Sequence, residues 1–239
     1  MRPLFNPRYP LYLLVIFLIW AGLWAIKPTD IKDWALENAL TVLGLLLLIW
    51  MHRYVPLTNI SYTLIFIFLC LHTVGAHYTY AMVPYNEWTK AIFGRSLNDL
   101  LGFERNHYDR LVHFCFGLFM VYPIRELFMR FAGAKGFWSY YLPLDLTMSF
   151  SMLYELIEWG AAEMFGGELG TAYLGTQGDQ WDAQKDMLLA TLGALISLLV
   201  VAWINWKFDK NFGAELRQSL TPKPVVLGEQ KLSELMGQK

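Results

Sequence analysis

The sequence predicts an all-α fold: a polytopic integral membrane helical bundle with six transmembrane helices. Six stretches of the 239-residue chain are apolar and approach the roughly 20 residues that a helix needs to cross a bilayer. Only 16% of the residues are charged, compared with about 25% in soluble domains, and 56% are hydrophobic. Tryptophans gather towards the ends of these stretches, as in an interfacial aromatic belt. Lipid is therefore the expected solvent of the chain.

The predicted spans are separated by residues that interrupt helices. Pro28, Pro56, Pro84 and the pair Gly133 and Gly136 lie in the connections. The first span is expected to stay in the protein, because no small-residue cleavage site follows its apolar run. In chain order the six spans cover residues 9–26, 35–51, 60–83, 109–128, 138–159 and 182–206. They form one predicted domain, residues 1–212, which is followed by a flexible cytoplasmic tail, residues 213–239.

The positions of Lys and Arg predict the orientation of the bundle. With six spans, both termini and the second and fourth connections share one side of the membrane, and that side carries more Lys and Arg. The fourth connection has the strongest bias, with Arg125, Arg130 and Lys135 against the single acid Glu126. Since positive residues favour the cytoplasmic side, both termini are predicted to be cytoplasmic. In a bacterium this would be a multi-pass protein of the plasma (inner) membrane, with membrane lipids as partners.

Charge and cysteine content exclude two other classes of protein. The net charge of −1 leaves no basic surface of the kind that nucleic-acid binding needs. Cys70 and Cys115 both lie in apolar runs, so a disulfide framework is not expected.

Ionisable residues converge at one end of the predicted bundle. The fourth and sixth spans begin at the outer face and the fifth ends there, so their polar residues reach the same depth. Asp109 and His113 are four residues apart and share a helical face, and Glu155 and Glu158 are three apart. Ionisable groups inside a bilayer are costly and tend to mark functional sites. We therefore predict one outward-opening polar cavity, closed on one side by His72 or His77 and lined by Asp109, His113, Glu155, Glu158, Asp182 and Asp186.

Each of these residues also has a purely structural interpretation. Asp109 can be a helix N-cap, and Asp182 a first-turn acid that the helix dipole favours. Loop residues Glu104, Arg105 and His107 are expected to be solvated. These interpretations explain single residues, but they do not explain why six ionisable residues share one depth.

Carboxylates and imidazoles at a membrane boundary support three kinds of chemistry. They can hold a divalent metal ion that activates a bound water, act as a metal-free acid/base pair, or relay protons for transport. Haem is less suited, because it would leave the surplus acids unexplained. Mutual repulsion of the acids must be relieved by a cation, by protonation, or by Arg105 and Arg110. The predicted metal ligands are His72, His77, His113 and Asp186.

Two runs of residues resemble signatures of VanZ-like membrane proteins. The run DRLVHF (residues 109–114) is similar to their Asp-Lys/Arg-x-x-His-Phe signature at a helix start. The run DMLLATLG (residues 186–193) resembles their closing helix, although Ala190 stands where that pattern has Asn. Glu155 lies on the intervening helix, where that family also has an acid. The resemblance covers residues 109–197 and implies a link to lipid-linked or cell-envelope substrates.

Over nearly its whole length, the chain resembles the YjdF-like family of bacterial inner-membrane proteins. The runs ERNHYDRLVHF (residues 104–114) and GTQGDQWDAQKDM (residues 175–187) carry this resemblance. It implies a polytopic inner-membrane protein and supplies no reaction.

The first functional hypothesis is a membrane enzyme with an outward-facing acid/His site that acts on a lipid or envelope amphiphile. The alternatives are a non-catalytic membrane component, whose polar groups connect helices, and a proton- or cation-coupled transporter. Stoichiometric metal that is lost on mutation of His113 would favour the enzyme. Metal-free protein that takes up protons would favour the transporter.

Overall fold

The computed structural model describes residues 8–167, 170, 174–222 and 228–237. Every regular element in these ranges is an α-helix. In chain order the described helices are α1 (Tyr9–Trp24), α2 (Ile31–His52), α3 (Asn59–His77), α4 (Tyr85–Phe93), α5 (Leu97–Leu101), α6 (Tyr108–Phe131), α7 (Trp138–Phe165), α8 (Asp182–Phe208), α9 (Phe212–Ser219) and α10 (Gly228–Gly237).

The predicted all-α membrane fold is confirmed. Within the described residues, α2, α3, α6 and α8 are long and apolar enough to cross a membrane. α1 is apolar but has 16 residues. α7 has 28 residues, and Asp145, Glu155 and Glu158 make it more polar than its neighbours. Each of the six predicted spans overlaps one of these six helices, but the number of crossings stays a prediction.

α6 lies at the centre of the bundle. It packs against α3, α7 and α8, while α1 and α2 pack on α3. The closest approach joins α6 and α8, where a Cβ atom on Gly117 would lie 2.8 Å from the Ala194 nitrogen. A Cβ atom on Gly193 would likewise lie 2.8 Å from the Leu118 nitrogen. Glycine at both positions lets the two backbones touch, as small residues do in membrane helix pairs, and this contact fixes the starts of α6 and α8 side by side.

The third predicted span ends earlier than expected. α3 stops at His77 rather than at residue 83, and Thr79 and Tyr80 have φ angles of 53° and 51°. Such values are unusual for residues that carry a Cβ atom. The turn folds the ring of Tyr80 back onto Gly75, where any side chain would overlap it. Tyr80 is thereby buried beside the last turns of α3.

The C-terminal segment after α8 contains two helices. We predicted a flexible tail from residue 213; residues 213–219 belong to α9 and residues 228–237 form α10, and the flexibility of this segment stays a prediction. The Ser219 hydroxyl accepts a hydrogen bond from the Phe137 nitrogen at 2.9 Å, and its carbonyl accepts one from Trp138 Nε1 at 2.9 Å. α9 therefore lies against the connection between α6 and α7. The domain boundary at residue 212 stays a prediction.

Glu126 connects α3 and α6 at the end of the bundle where α3 begins. Its carboxylate accepts hydrogen bonds from the Thr58 backbone at 2.9 Å and from the Ser61 hydroxyl at 2.5 Å. It also pairs with Arg130 at 2.7 Å. Because Thr58 is the N-cap of α3, this carboxylate holds the start of α3 against the last turns of α6.

Candidate functional site

Asp109, His113 and Asp186 lie together near the starts of α6 and α8. One potential ligand atom from each residue lies within 4.8 Å of the other two. His113 and Asp186 are buried, and Asp109 is half-buried. The close backbone contacts of Gly117 with α8 and of Gly193 with α6 bring the two helices near enough for this arrangement. We refer to Asp109, His113 and Asp186 as the ligand group.

α7 adds two further acids to the ligand group. Glu155 Oε1 lies 3.5 Å from His113 Nε2, and Asp109 Oδ1 lies 3.6 Å from the same nitrogen. Glu158, one turn farther along α7, is buried, and its carboxyl contacts that of Glu155. Glu155 Oε1 and Asp186 Oδ1 are buried and have no hydrogen-bond partner among the described residues. Unpaired buried carboxylate oxygens are costly, and a bound cation or a proton would satisfy them.

Asp182 pairs with two arginines and does not belong to the ligand group. Its Oδ1 accepts hydrogen bonds from Arg105 Nη2 at 2.7 Å and from Arg110 Nη2 at 3.0 Å. Arg105 also donates to the Thr176 carbonyl at 2.7 Å. The expectation that Arg105 is solvated is therefore wrong, because its guanidinium is mostly buried and paired. These ion pairs lie one helical turn nearer the end of the bundle than Asp186.

Asp179 adds further ion pairs outside the helices, and we refer to Arg105, Arg110, Asp179, Asp182 and Lys185 together as the ion-paired layer. Its Oδ2 lies 2.6 Å from Arg110 Nη2 and 2.5 Å from Lys185 Nζ. The Lys185 ammonium and the Trp181 backbone N–H hold the pKa of the Asp179 carboxyl well below its usual range. Partial burial and the neighbouring Arg110 lower the pKa of His107, whose Nδ1 lies 3.4 Å from Arg110 Nη1. A neutral His107 can therefore accept a hydrogen bond from that guanidinium.

The two histidines of α3 do not join the ligand group. His72 has both ring nitrogens in contact with other groups: Nε2 lies 3.3 Å from the Glu37 carbonyl, and Nδ1 contacts the Tyr80 hydroxyl. His77 lies on another face of α3, with Nδ1 2.7 Å from the Trp24 carbonyl and its ring against the Trp24 indole. Of the four predicted metal ligands, only His113 and Asp186 therefore lie in the ligand group; His72 and His77 do not.

The ligand group borders a cavity of about 520 Å³ between α2, α3, α6 and α7. We predicted a polar cavity, but most of its lining is apolar. Of the predicted lining residues, Asp109, His113 and His72 contribute to its wall. The predicted residues that do not line it are Glu155, Glu158, Asp182 and Asp186.

α2 contributes two buried acids that were not among the predicted site residues. Asp33 is 1% exposed and Glu37 is 4% exposed. The Tyr154 hydroxyl of α7 donates to Glu37 Oε2 at 3.0 Å and so connects α7 with α2. Both carboxylate oxygens of Asp33 are buried without a hydrogen-bond partner in the part of the chain that the structure describes. Their spacing of four residues was the available signal, but Asp33 also fits a first-turn acid at a helix start.

This arrangement has the chemistry of a cation site with acid/base groups beside it. An imidazole and carboxylates together are ligands that Zn²⁺ and Mn²⁺ accept in proteins. Glu155 stands next to the imidazole and can exchange a proton with a bound water. Arg105 and Arg110 form their ion pairs with Asp179 and Asp182 rather than with the carboxylates of the ligand group.

Comparisons with known proteins agree with a membrane location. The family described as "Predicted membrane protein (DUF2238)" matches residues 9–207, a range that contains every candidate site residue. The chain is 37% identical over 201 residues to the inner membrane protein YjdF of Escherichia coli (strain K12). The matched region covers 84% of this chain and 90% of that protein. No solved structure matches the chain.

Proposed function

Because the chain belongs to the membrane protein family DUF2238, we propose that it acts within the bilayer, as a membrane enzyme on the polar head of a lipid or envelope amphiphile. One observation supports this most: three potential metal ligands from two helices lie within 4.8 Å of one another. Two buried carboxylate oxygens at this place, Asp186 Oδ1 and Glu155 Oε1, have no hydrogen-bond partner among the described residues. A divalent cation would supply one.

The proposed chemistry is cation-assisted hydrolysis. A divalent ion held by Asp109, His113 and Asp186 would polarise a carbonyl or phosphoryl oxygen of the substrate and activate a water. Glu155, at 3.5 Å from His113 Nε2, is placed to accept the proton of that water as it attacks. The bond to the leaving group would then break, and Glu155 would return the proton to that group. The imidazole makes Zn²⁺ or Mn²⁺ a better candidate than Mg²⁺ or Ca²⁺, which prefer oxygen ligands.

We also propose that six helices cross the inner membrane with both termini in the cytoplasm. The starts of α2, α6 and α8 and the end of α7 lie at one end of the bundle, and this end would face the periplasm. The basic connection between α6 and α7 would face the cytoplasm, in agreement with the positive-inside rule.

Proton- or cation-coupled transport is the second candidate. Its support is the row of buried acids that continues from α7 to α2 through the hydrogen bond between Tyr154 and Glu37. A chain of titratable groups across helices is typical of proton relays. A non-catalytic role as a membrane component would use the same groups only to connect helices.

Metal analysis of the purified protein tests the proposal. We expect about one Zn²⁺ or Mn²⁺ per chain in the wild type, and a loss of at least tenfold in affinity in Asp186→Asn, which removes one charged ligand. Asp99→Asn is the matched control, because Asp99 is an exposed acid on α5 that belongs neither to the ligand group nor to the ion pairs of Asp179 and Asp182. It should bind the cation as the wild type does.

The outcomes separate the three roles. Wild-type protein that binds neither ion would contradict the cation-dependent enzyme, and proton uptake by such protein in liposomes would favour transport. Thermal unfolding of the metal-free proteins tests the structural role. Removal of one acid from a crowded group should leave the stability of Asp186→Asn unchanged or raised, since less repulsion remains. A strong loss of stability there would indicate a purely structural contact.

A further inference from the structure

The 520 Å³ cavity has a polar end and a long apolar body. At the polar end, the lining includes His72, Tyr80, Asp109, His113 and Tyr154. The rest of the lining is formed almost entirely by apolar side chains of α2, α3, α6 and α7. Its volume falls within the range of about 300–1,000 Å³ that is typical of small-molecule sites.

The cavity continues along α6 well beyond the polar end. Leu127 also lines it, and fourteen residues of helix separate His113 from Leu127, or about 21 Å at the usual helical rise. One leaflet of a bilayer has a hydrocarbon depth of about 15 Å, half of the usual core. The apolar body is therefore deep enough to accommodate a lipid chain along its whole length.

The cavity opens sideways between α2 and α7. Leu40 and Leu47 of α2 and Phe150, Leu153 and Ile157 of α7 all line it, and they are between 37% and 52% exposed. Side chains that line a cavity and are also exposed form the rim of its opening. In a bilayer this rim faces acyl chains rather than water, so the opening admits a ligand from the membrane.

The polar end of this opening is bridged by hydrogen bonds. Tyr154 of α7 donates to Glu37 Oε2, and His72 of α3 lies 3.3 Å from the Glu37 carbonyl. These contacts connect α2 to α7 and α3 at the polar end, whereas the exposed apolar rim residues of α2 and α7 line the rest of the opening. We call this laterally open cavity the groove. A ligand that enters it from the side would bring its apolar part into the groove and its polar part against the end where Tyr154, Glu37 and His72 are in contact.

We propose that this groove binds one acyl chain of a membrane lipid, whose polar head then reaches Asp109 and His113. This inference rests on the proposed function and names the class of its substrate: a lipid that enters from the bilayer rather than a solute from the aqueous phase. Asp109 and His113 belong both to the groove wall and to the ligand group. The ligand must therefore fill the apolar part of the groove and present a polar group at the end where Asp109 and His113 lie. A lipid does both.

Photo-crosslinking with a phosphatidylethanolamine that carries a diazirine near the end of one acyl chain tests this. The full chain in nanodiscs is irradiated, and the labelled peptides are identified by mass spectrometry. We expect labels on Met120 and Leu127, which line the groove deep in the bundle and are both half-buried. Lipids that merely surround the protein would label the outward faces of α1 and α8 instead.

Gly44→Trp is the blocking variant. Gly44 lines the groove, and a Cβ atom there would meet nothing within 4 Å, so the first atom of a larger side chain fits there, and the rest of a Trp side chain is expected to occupy the groove. Labelling of the groove peptides should fall at least tenfold. Gly22→Trp is the control, because Gly22 lies on α1, has the same open surroundings and does not line this cavity. It should label as the wild type does.

Unchanged labelling of the groove peptides in Gly44→Trp would overturn the inference, and so would labels confined to the outer faces in the wild type. A crosslink between two copies of the chain through the groove would also overturn it. Cation binding is measured on the same preparations. Asp186-dependent cation binding without groove labelling leaves the proposed function standing and removes the lipid groove. Groove labelling without cation binding supports the groove and removes the cation-dependent enzyme.

Discussion

Substitution of Gly193 by alanine probes whether the contact between α6 and α8 builds the ligand group. The added Cβ atom would lie 2.8 Å from the Leu118 nitrogen and would overlap the Phe114 carbonyl oxygen, whereas ordinary van der Waals contact begins at 3.4 Å. Both opposing atoms belong to the backbone, so no side chain can rotate away. The two helices must separate, and the ligand group, which draws on both, must widen.

The expected magnitude follows from the kind of overlap. Forcing a methyl group into a packed contact costs about 1–3 kcal/mol. For a protein of this size, each kcal/mol corresponds to a shift of about 2–4 °C in the unfolding midpoint. Loss of good geometry around a metal lowers its affinity by about 10- to 100-fold. Gly193→Ala should therefore unfold several degrees lower and bind the cation at least tenfold more weakly.

Gly160→Ala is the matched control for this experiment. Gly160 lies within α7, and a Cβ atom there would meet nothing within 4 Å. The same substitution there should lower neither the unfolding midpoint nor the cation affinity. If Gly193→Ala behaves like this control in thermal unfolding and in metal titration, the backbone contact does not position Asp186 against His113, and the reasoning is refuted.

Two further predictions concern the ion-paired layer and the topology. Arg105→Leu leaves Asp182 buried with one cation fewer, so we expect a lower unfolding midpoint, with a loss of up to about 3–5 kcal/mol if Arg110 does not compensate. The double variant with Asp182→Asn should recover part of it; a double variant as unstable as Arg105→Leu would show that the pairing is irrelevant. Reporter fusions after Pro222 and after Gly102 should report opposite sides of the membrane. The same side for both would contradict six crossings with cytoplasmic termini.

The sequence predicted the helices and the end of the bundle at which the acids gather, since both depend on local patterns. Apolar length identified the membrane helices, and spacing of four residues placed Asp109 and His113 on one face. The sequence offered Arg105 and Arg110 only as one of three ways to relieve the repulsion of the acids. It did not identify Asp182 as the partner of Arg105, because the two are 77 residues apart and meet only through the packing of α6 on α8. Local patterns could not distinguish a loop arginine in solvent from one that is buried by a distant carboxylate.

The α3 histidines show a second limit of sequence patterns. Apolar residues continue past His77, so hydropathy alone extended the span to residue 83. The structure ends the helix there, with positive φ angles at Thr79 and Tyr80. This turn places the Tyr80 hydroxyl against His72, and that contact occupies one ring nitrogen of a histidine that we had predicted to be a metal ligand. Hydropathy indicates whether a segment lies in lipid or in water, but it does not indicate the residue at which the helix ends.

The chain order of the ion-paired layer has a consequence for biogenesis. Arg105, Arg110 and the start of α6 leave the ribosome before Asp179 and Asp182, which are about 70 residues farther along the chain. During synthesis, α6 therefore enters the membrane with its acids and imidazole before α8 can supply Asp186 or the partners of the arginines. At roughly 5–20 residues per second, this interval lasts several seconds. Chains arrested before α8 should be the species that quality-control proteases remove most rapidly.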